Sequence, residues 1–162
     1  MDSKRIARYA LLVALAMVLS WLESLVPVST VVPGMKLGLT NLVVLFALYR
    51  MKTPDAAAIS LIRVLLVSMT FGNAYAFAYS FAGAVLSLAI MWILKRSGAF
   101  STVGVSVAGG VGHNLGQIMV AALVLETGRI FYYLPVLLIS GTAAGVCIGL
   151  VGGIIVERLK KV

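Results

Sequence analysis

The amino-acid sequence predicts an all-α integral membrane protein built as a compact bundle of six transmembrane helices. Of its residues, 62% are hydrophobic and only 11% are charged, and the mean hydropathy is +1.10. Soluble globular domains carry about 25% charged residues. The apolar residues also fall into six runs, and a helix needs about 20 residues to cross a bilayer core. These runs form one transmembrane domain over 1–162, with helices predicted at about 6–25, 34–50, 54–71, 74–94, 102–125 and 134–156.

Basic residues cluster at alternate ends of these runs. They precede the first run and follow the second, fourth and sixth, whereas the opposite loops contain only Lys36 and Arg129. Because basic residues stay on the cytoplasmic side, this pattern predicts a multi-pass protein of the cell (inner) membrane with both termini in the cytoplasm. The net charge of +8 does not indicate nucleic-acid binding, since the basic residues form short clusters rather than one extended face.

Local signals support individual helices in chain order. Trp21 lies at interfacial depth near the outer end of the first helix, and Trp92 lies at interfacial depth near the inner end of the fourth. Thr53-Pro54-Asp55 is a favourable start for the third helix, with a hydroxyl cap, an early proline and an acid near the positive end of the helix dipole. Short turns at 96–99 and 126–129 separate the last three helices.

Small residues recur every four positions on three of the predicted helices. Such spacing lets helix backbones approach closely in membranes. We predict internal packing for the fifth and sixth helices, whereas the first helix carries only a short notch near its cytoplasmic end. The positions are Gly141, Gly145, Gly149 and Gly153 on the sixth helix, Gly112 and Gly116 on the fifth, and Ala10 and Ala14 on the first.

The second run is the most informative stretch, because its apolar part is too short to span a bilayer alone. Residues 42–49 are apolar, and they follow the polar, glycine-bearing segment 33–41 (PGMKLGLTN). This segment must enter the membrane with them, which places Lys36 and Asn41 at or inside the lipid boundary. Polar side chains at this depth indicate a cavity lining or a grip on a neighbouring helix.

Arg63 lies midway along the third predicted helix, where a charged residue costs about 2.5–3.5 kcal/mol on insertion scales. No acidic residue is expected at the same depth in another helix. Either the guanidinium bonds to backbone carbonyls of a broken helix or reaches Glu23, or it lines a cavity and contacts an anion.

The fifth helix carries a polar patch at its centre. His113 and Gln117 are four residues apart and share a face, and Asn114 lies about 100° round the helix. The patch can be hydrogen-bonded packing or a ligand contact. The sequence spaces no second His, Asp or Cys to complete a metal site with His113.

Aromatic residues cover two sides of the outer half of the fourth helix. Asn73 precedes this helix, and the pairs Tyr75/Tyr79 and Phe77/Phe81 are each four residues apart. Packing and an interfacial belt explain such residues. The alternative is a pocket wall for a planar or isoprenoid ligand.

The sequence contains no recognisable catalytic set. It has no phosphate-binding loop, no aspartate cluster for magnesium against a diphosphate, and no Ser/His/Asp or Cys/His arrangement. We therefore expect no enzymatic activity, no cofactor and no bound metal. Acidic residues are also absent from the predicted membrane core, so a transporter of this kind would take its energy from a partner.

The motifs PGMKLGLTNLV at 33–43, Arg63 in the third helix and GHNLGQ at 112–117 resemble the Gx transporter family, also catalogued as heptaprenyl diphosphate synthase component I. That family is similar to the substrate-binding S components of energy-coupling factor (ECF) transporters. The resemblance implies six helices with both ends cytoplasmic and a ligand pocket that opens outward. It also implies that Ala10 and Ala14 dock on a coupling subunit driven by two cytoplasmic ATPases.

Three functions are therefore predicted from different classes. The first is capture of a small or amphiphilic anionic ligand for an ECF-type importer; the second is isoprenoid binding for heptaprenyl diphosphate synthesis. The third is a structural subunit of a membrane redox complex with no ligand. In the first, Lys36, Arg63 and His113 meet the negative group, Asn41, Asn73, Asn114 and Gln117 orient it, and Tyr75 and Tyr79 cover its apolar part.

Overall fold

The computed structural model describes residues 3–25 and 38–160, and these residues form six α-helices and no strand. The helices are α1 (Ser3–Leu25), α2 (Asn41–Arg50), α3 (Thr53–Phe71), α4 (Ala74–Ser97), α5 (Thr102–Val124) and α6 (Leu134–Lys160), and a 3-10 helix (Gly128–Tyr133) precedes α6. All of these helices except α2 are long and apolar enough to cross a membrane. The predicted all-α fold class with six helices is confirmed, although five of the described helices rather than six are long enough to span. The chain has the helices of a multi-pass membrane protein.

The second helix is shorter than predicted. Among the described residues it begins at Asn41, whereas Gly38 has a left-handed backbone with φ of 73°. The Asn41 amide donates to the Gly38 carbonyl at 2.8 Å, which closes a turn before the helix. The predicted helical conformation is therefore wrong at 38–40, because the positive φ cannot continue an α-helix, and residues 34–37 lie outside the described residues. At ten residues α2 is about 15 Å long.

The other five helices begin and end within four residues of the predicted bounds. Local caps account for several of these ends. Asn73 accepts from the Ala76 amide at 2.9 Å at the start of α4, and Ser101 accepts from the Gly104 amide at 3.2 Å at the start of α5. Gly98 ends α4 with φ of 69°, a conformation that glycine adopts without steric cost.

Helices α4, α5 and α6 pack backbone against backbone through their glycines. A Cβ atom at Gly145 of α6 would lie 2.5 Å from the Cα of Val107 on α5. On the opposite side of α5, a Cβ atom at Gly116 would lie 2.7 Å from the Ala82 carbonyl oxygen of α4. These contacts confirm that the glycines of the fifth and sixth helices serve internal packing.

Helix α2 fills the centre of the bundle. Leu45 and Leu48 are fully buried and belong to an apolar core that includes Ile59 of α3, Met91 of α4 and Ile148 of α6. The short helix is therefore surrounded by longer ones, which explains how a ten-residue apolar segment is kept inside the bundle.

Basic side chains tie the helix ends together at one end of the bundle. Arg5 of α1 forms a salt bridge with Asp55 at the start of α3. Arg50 at the end of α2 donates to the Leu159 carbonyl of α6 at 2.7 Å, and Lys95 of α4 donates to the Leu48 carbonyl. The first turns of α1 and the last turns of α6 thus lie at the same end, with most basic residues. Which side of the membrane this end faces remains a prediction.

Candidate functional site

Arg63 is buried on α3 and faces the start of α2. Its side chain is 7% exposed, and its Nη1 donates to the hydroxyl of Thr40, itself 3% exposed. The Nε atom has no hydrogen-bond partner within the described part of the chain. Among the described residues this nitrogen therefore remains a donor without an acceptor, and guanidinium groups bind carboxylate and phosphate oxygens through such donors.

Glu23 is the acidic neighbour of this site. Its carboxylate accepts the amide hydrogen of Gly38 and interacts electrostatically with Arg63. The sequence offered Glu23 only as one alternative partner, because the residue lies near the end of α1. The sequence predicted no acidic residue near Arg63 in the membrane. This prediction is corrected here, because Glu23 interacts with the guanidinium.

The polar segment at 33–41 is described only from Gly38 onward. Asn41, the first residue of α2, is half-buried, and its side-chain nitrogen would lie 3.5 Å from a Cβ atom at Gly38. Lys36 lies outside the described residues. The end of this segment therefore contacts Arg63, through the hydroxyl of Thr40. The ligand-binding role of Lys36 stays a prediction.

The polar patch of α5 is buried between α4 and α6. His113, Asn114 and Gln117 are all less than 9% exposed. The side-chain nitrogen of Asn114 donates to the Leu137 carbonyl of α6 at 2.6 Å. On the other side, a Cβ atom at Gly83 of α4 would lie 3.0 Å from both His113 Cε1 and Gln117 Cγ. Asn114 thus serves as an interhelical hydrogen-bond donor, and His113 and Gln117 fill the contact with α4.

The residues predicted at the outer part of α4 have mostly local roles. The Asn73 side chain caps the helix, as described above, and Tyr75 is 62% exposed on the bundle surface. Tyr79 is half-buried. The rings of Phe77 and Phe81 lie 5.7 Å apart and tilted by 34°. This arrangement resembles an interfacial belt with ordinary aromatic packing more than a pocket wall.

The outer face of α1 is open. Ala10 and Ala14 are both exposed, and the larger neighbours Leu11 and Leu15 are 69% and 46% exposed. The notch is therefore accessible on the surface of the bundle rather than covered by another of the described helices.

Sequence reasoning missed Thr40 and the cluster around Asp55. A threonine before a helix is usually a cap, yet here its side chain accepts from a residue 23 positions away. Asp55 was predicted as a helix-start residue, but its carboxylate also accepts from the Tyr9 hydroxyl of α1 at 2.5 Å. The only signal in the sequence for this cluster was a basic residue, Arg5, near the start of α1 and an acidic residue, Asp55, near the start of α3. Within the described ranges, no three His, Cys, Asp or Glu side chains come together as a metal site.

Comparisons with known proteins give one result about the whole chain. No curated protein and no solved structure matches it. A protein-family model described as heptaprenyl diphosphate synthase component I matches residues 12–155, which include every described helix at least in part. The chain belongs to the heptaprenyl diphosphate synthase component I family.

Proposed function

We propose that this protein is the membrane-embedded substrate-binding subunit of an ECF-type importer, an S component that captures a small or amphiphilic anionic ligand from the outer side. The observation that carries the proposal is the buried guanidinium of Arg63, with one donor used by Thr40 and Nε available among the described contacts. Buried charges inside membrane proteins are costly, and they mark ligand or ion sites. The proposed topology has both termini in the cytoplasm.

In this proposal Arg63 binds the negative group and Thr40 fixes the guanidinium, while Lys36, Asn41, His113 and Gln117 approach the ligand. Asn73 already caps α4, and Asn114 already donates a hydrogen bond to α6. We therefore assign these two residues to the structure and no longer to the ligand. Tyr79 supplies apolar cover more readily than the exposed Tyr75.

The partner in this proposal is an ECF coupling subunit driven by two cytoplasmic ATPases. The exposed alanine notch of α1 supports it, because small residues allow close approach of a second helix in the membrane. Ala14→Leu should abolish co-purification of the coupling subunit. The matched control is Ala143→Leu, at an exposed alanine of α6, which should leave co-purification unchanged. Equal behaviour of the two variants would contradict docking at the notch.

A second candidate function rests on the family description, which names a component of heptaprenyl diphosphate synthase. In it the chain binds an isoprenoid diphosphate in the membrane for a separate catalytic subunit. Arg63 would serve the diphosphate in the same way. In both candidates we propose that the chain binds its ligand and that any catalysis belongs to a separate subunit.

The experiment is identification of the ligand by native mass spectrometry of protein purified gently from its own membrane. A small anion together with co-purified ATPases supports the importer. An isoprenoid diphosphate and a soluble prenyltransferase support the second candidate. If neither ligand is recovered and the chain is stably associated with a membrane redox complex, the chain is a structural subunit. This result would contradict both candidate functions.

A further inference from the structure

The 3-10 helix between α5 and α6 lies at the end of the bundle opposite the basic end. Helix α5 has 23 residues and is about 34 Å long, slightly more than the hydrocarbon core of a bilayer at about 30 Å. Exposed apolar side chains reach this end on both helices, since Leu123 of α5 is 77% exposed and Ile139 of α6 is 72% exposed. Residues 128–133 therefore lie just beyond the lipid-facing surface, at the depth of the lipid head groups.

One side of the 3-10 helix is fixed to the bundle. Ile130 in this helix, and Leu134 directly after it, pack against the buried side chains of Ile118 on α5 and Leu137 on α6. The 3-10 helix is thus held in place without the side chains on its other side.

That other side lines an open recess of about 470 Å³, which is formed by Gly128, Arg129, Phe131 and Tyr132. Side chains three residues apart in a 3-10 helix eclipse one another, so Tyr132 lies on the same side as Arg129. The Tyr132 side chain is 86% exposed, and that of Phe131 is 45% exposed. Exposed aromatic rings at the depth of the head groups are typical of side chains in contact with lipid.

Arg129 brings a positive charge to this recess. Its side chain is exposed and forms no ion pair or hydrogen bond with the rest of the described chain. Glu126, three residues earlier, is also exposed, and no salt bridge joins the two side chains. Because a guanidinium binds phosphate oxygens through parallel donors, a phosphate group matches the chemistry of the recess.

We propose that this recess binds the head group of an anionic phospholipid from the surrounding leaflet. The guanidinium of Arg129 binds the phosphodiester, the Tyr132 hydroxyl donates to a head-group oxygen, and the Phe131 ring packs against the glycerol. The acyl chains continue along the exposed side chains of Leu123 and Ile139. An anionic lipid is favoured over a zwitterionic one, because a zwitterionic head group would bring a second cation close to the guanidinium.

The test is photo-crosslinking of the full chain in nanodiscs that contain a small fraction of photoreactive phosphatidylglycerol or photoreactive phosphatidylcholine. The labelled peptides are identified by mass spectrometry. In the wild-type protein, phosphatidylglycerol should label the segment 123–139 more strongly than phosphatidylcholine does. Arg129→Gln should lower this labelling about fivefold, as expected for one arginine near the surface of an anionic membrane. The matched control is Arg158→Gln, which removes an exposed arginine at the other end of the bundle and should leave labelling of 123–139 unchanged.

The aromatic part of the recess has its own pair of variants. Tyr132→Ala removes the hydroxyl donor and should lower the labelling by phosphatidylglycerol less than Arg129→Gln does. Tyr75→Ala removes another exposed ring at the same end of the bundle and should leave the labelling unchanged. Equal melting temperatures of the variants would show that each one keeps the fold.

Equal labelling of 123–139 by the two lipids, or unchanged labelling in Arg129→Gln, would overturn the proposal. Inorganic phosphate added in excess should not reduce the labelling, because the acyl chains also contribute to binding. If phosphate does compete, the recess binds the free anion and the lipid proposal is wrong. Arg63 takes no part in this site, so the outcome is independent of the importer role.

Discussion

The two halves of the bundle are held together in different ways. Helices α4, α5 and α6 touch through glycines, so their backbones lie in direct contact along much of their length. Helices α1, α2 and α3 are joined around the apolar α2 by polar contacts. Asp55 of α3 accepts from Arg5 and Tyr9 of α1, Glu23 accepts from the Gly38 amide, and Arg63 donates to Thr40. Close backbone packing permits little relative movement, whereas a few polar contacts can be exchanged for others.

This difference indicates that the α4–α6 half serves as a scaffold and that the proposed anion site lies mainly in the α1–α3 half. Where a glycine lies against the backbone of the neighbouring helix, as Gly145 does, an added Cβ atom must push the two helices apart. A hydrogen bond to Arg63 or Asp55 can be replaced by one to a ligand or to water. We therefore regard the α4–α6 half as the fixed support and the α1–α3 half as the part that holds Arg63, the proposed anion contact. In the proposed function His113, Gln117 and Tyr79 of the support also approach the ligand.

The largest effect is expected from an atom added at the α5–α6 contact. In Gly145→Ala the new Cβ atom would lie 2.5 Å from the Val107 Cα, so the helices must separate. Overpacking of this kind costs about 1–3 kcal/mol. The measurement is the melting temperature of the purified protein in nanodiscs.

Gly153→Ala is the matched control on the same glycine stripe, because its nearest neighbouring atom is 3.9 Å away. Its melting temperature should remain that of the wild-type protein. An equal loss in both variants would show that the close contact at Gly145 does not decide stability in this half, since alanine by itself favours the helix over glycine.

A smaller effect is expected for Asn114 in the same half. Asn114→Leu removes the donor to the Leu137 carbonyl and should lower the free energy of unfolding by about 1 kcal/mol. Ligand retention should stay unchanged, because the account gives this residue to the scaffold. If the variant loses the ligand without losing stability, Asn114 contacts the ligand and belongs to the binding site.

The smallest effect is expected at the start of α4. Asn73→Ala removes the cap on the Ala76 amide and should cost about 0.5–1 kcal/mol, while Asn73→Ser keeps a capping oxygen and should restore most of the stability. Chemical unfolding of the two variants beside the wild-type protein measures the difference. A ligand defect in Asn73→Ser would show that the amide has a role beyond the cap.

Much of the scaffold half could be predicted from the sequence. The four-residue spacing of Gly141, Gly145 and Gly149 needs no tertiary information, since residues four apart on a helix share a face. The basic residues likewise predicted which helix ends lie together. These features are periodic or compositional, so a single sequence displays them directly.

The site half could be predicted only in part. Arg63 was evident because a charged residue interrupts an apolar run, but its contact with Thr40 depends on how α2 enters the bundle. That entry follows from the left-handed backbone of Gly38, which many glycines in a sequence could adopt. Glu23 and Asp55 looked like ordinary helix-end acids, and their contacts between different parts of the chain follow only from the packing of α1.

The most direct test of the central claim is ligand retention by Arg63→Gln, measured by native mass spectrometry together with the melting temperature of the ligand-free protein. Hydrogen bonds to charged groups contribute about 1.5–3 kcal/mol, so the bound fraction of the anion should fall by about tenfold or more. The ligand-free melting temperature should fall less than that of Gly145→Ala, because the glutamine amide can still donate to Thr40 and the variant removes a buried charge that is costly in the membrane. Unchanged retention of the anion, or a loss of stability as large as that of Gly145→Ala, would contradict a guanidinium kept for a ligand.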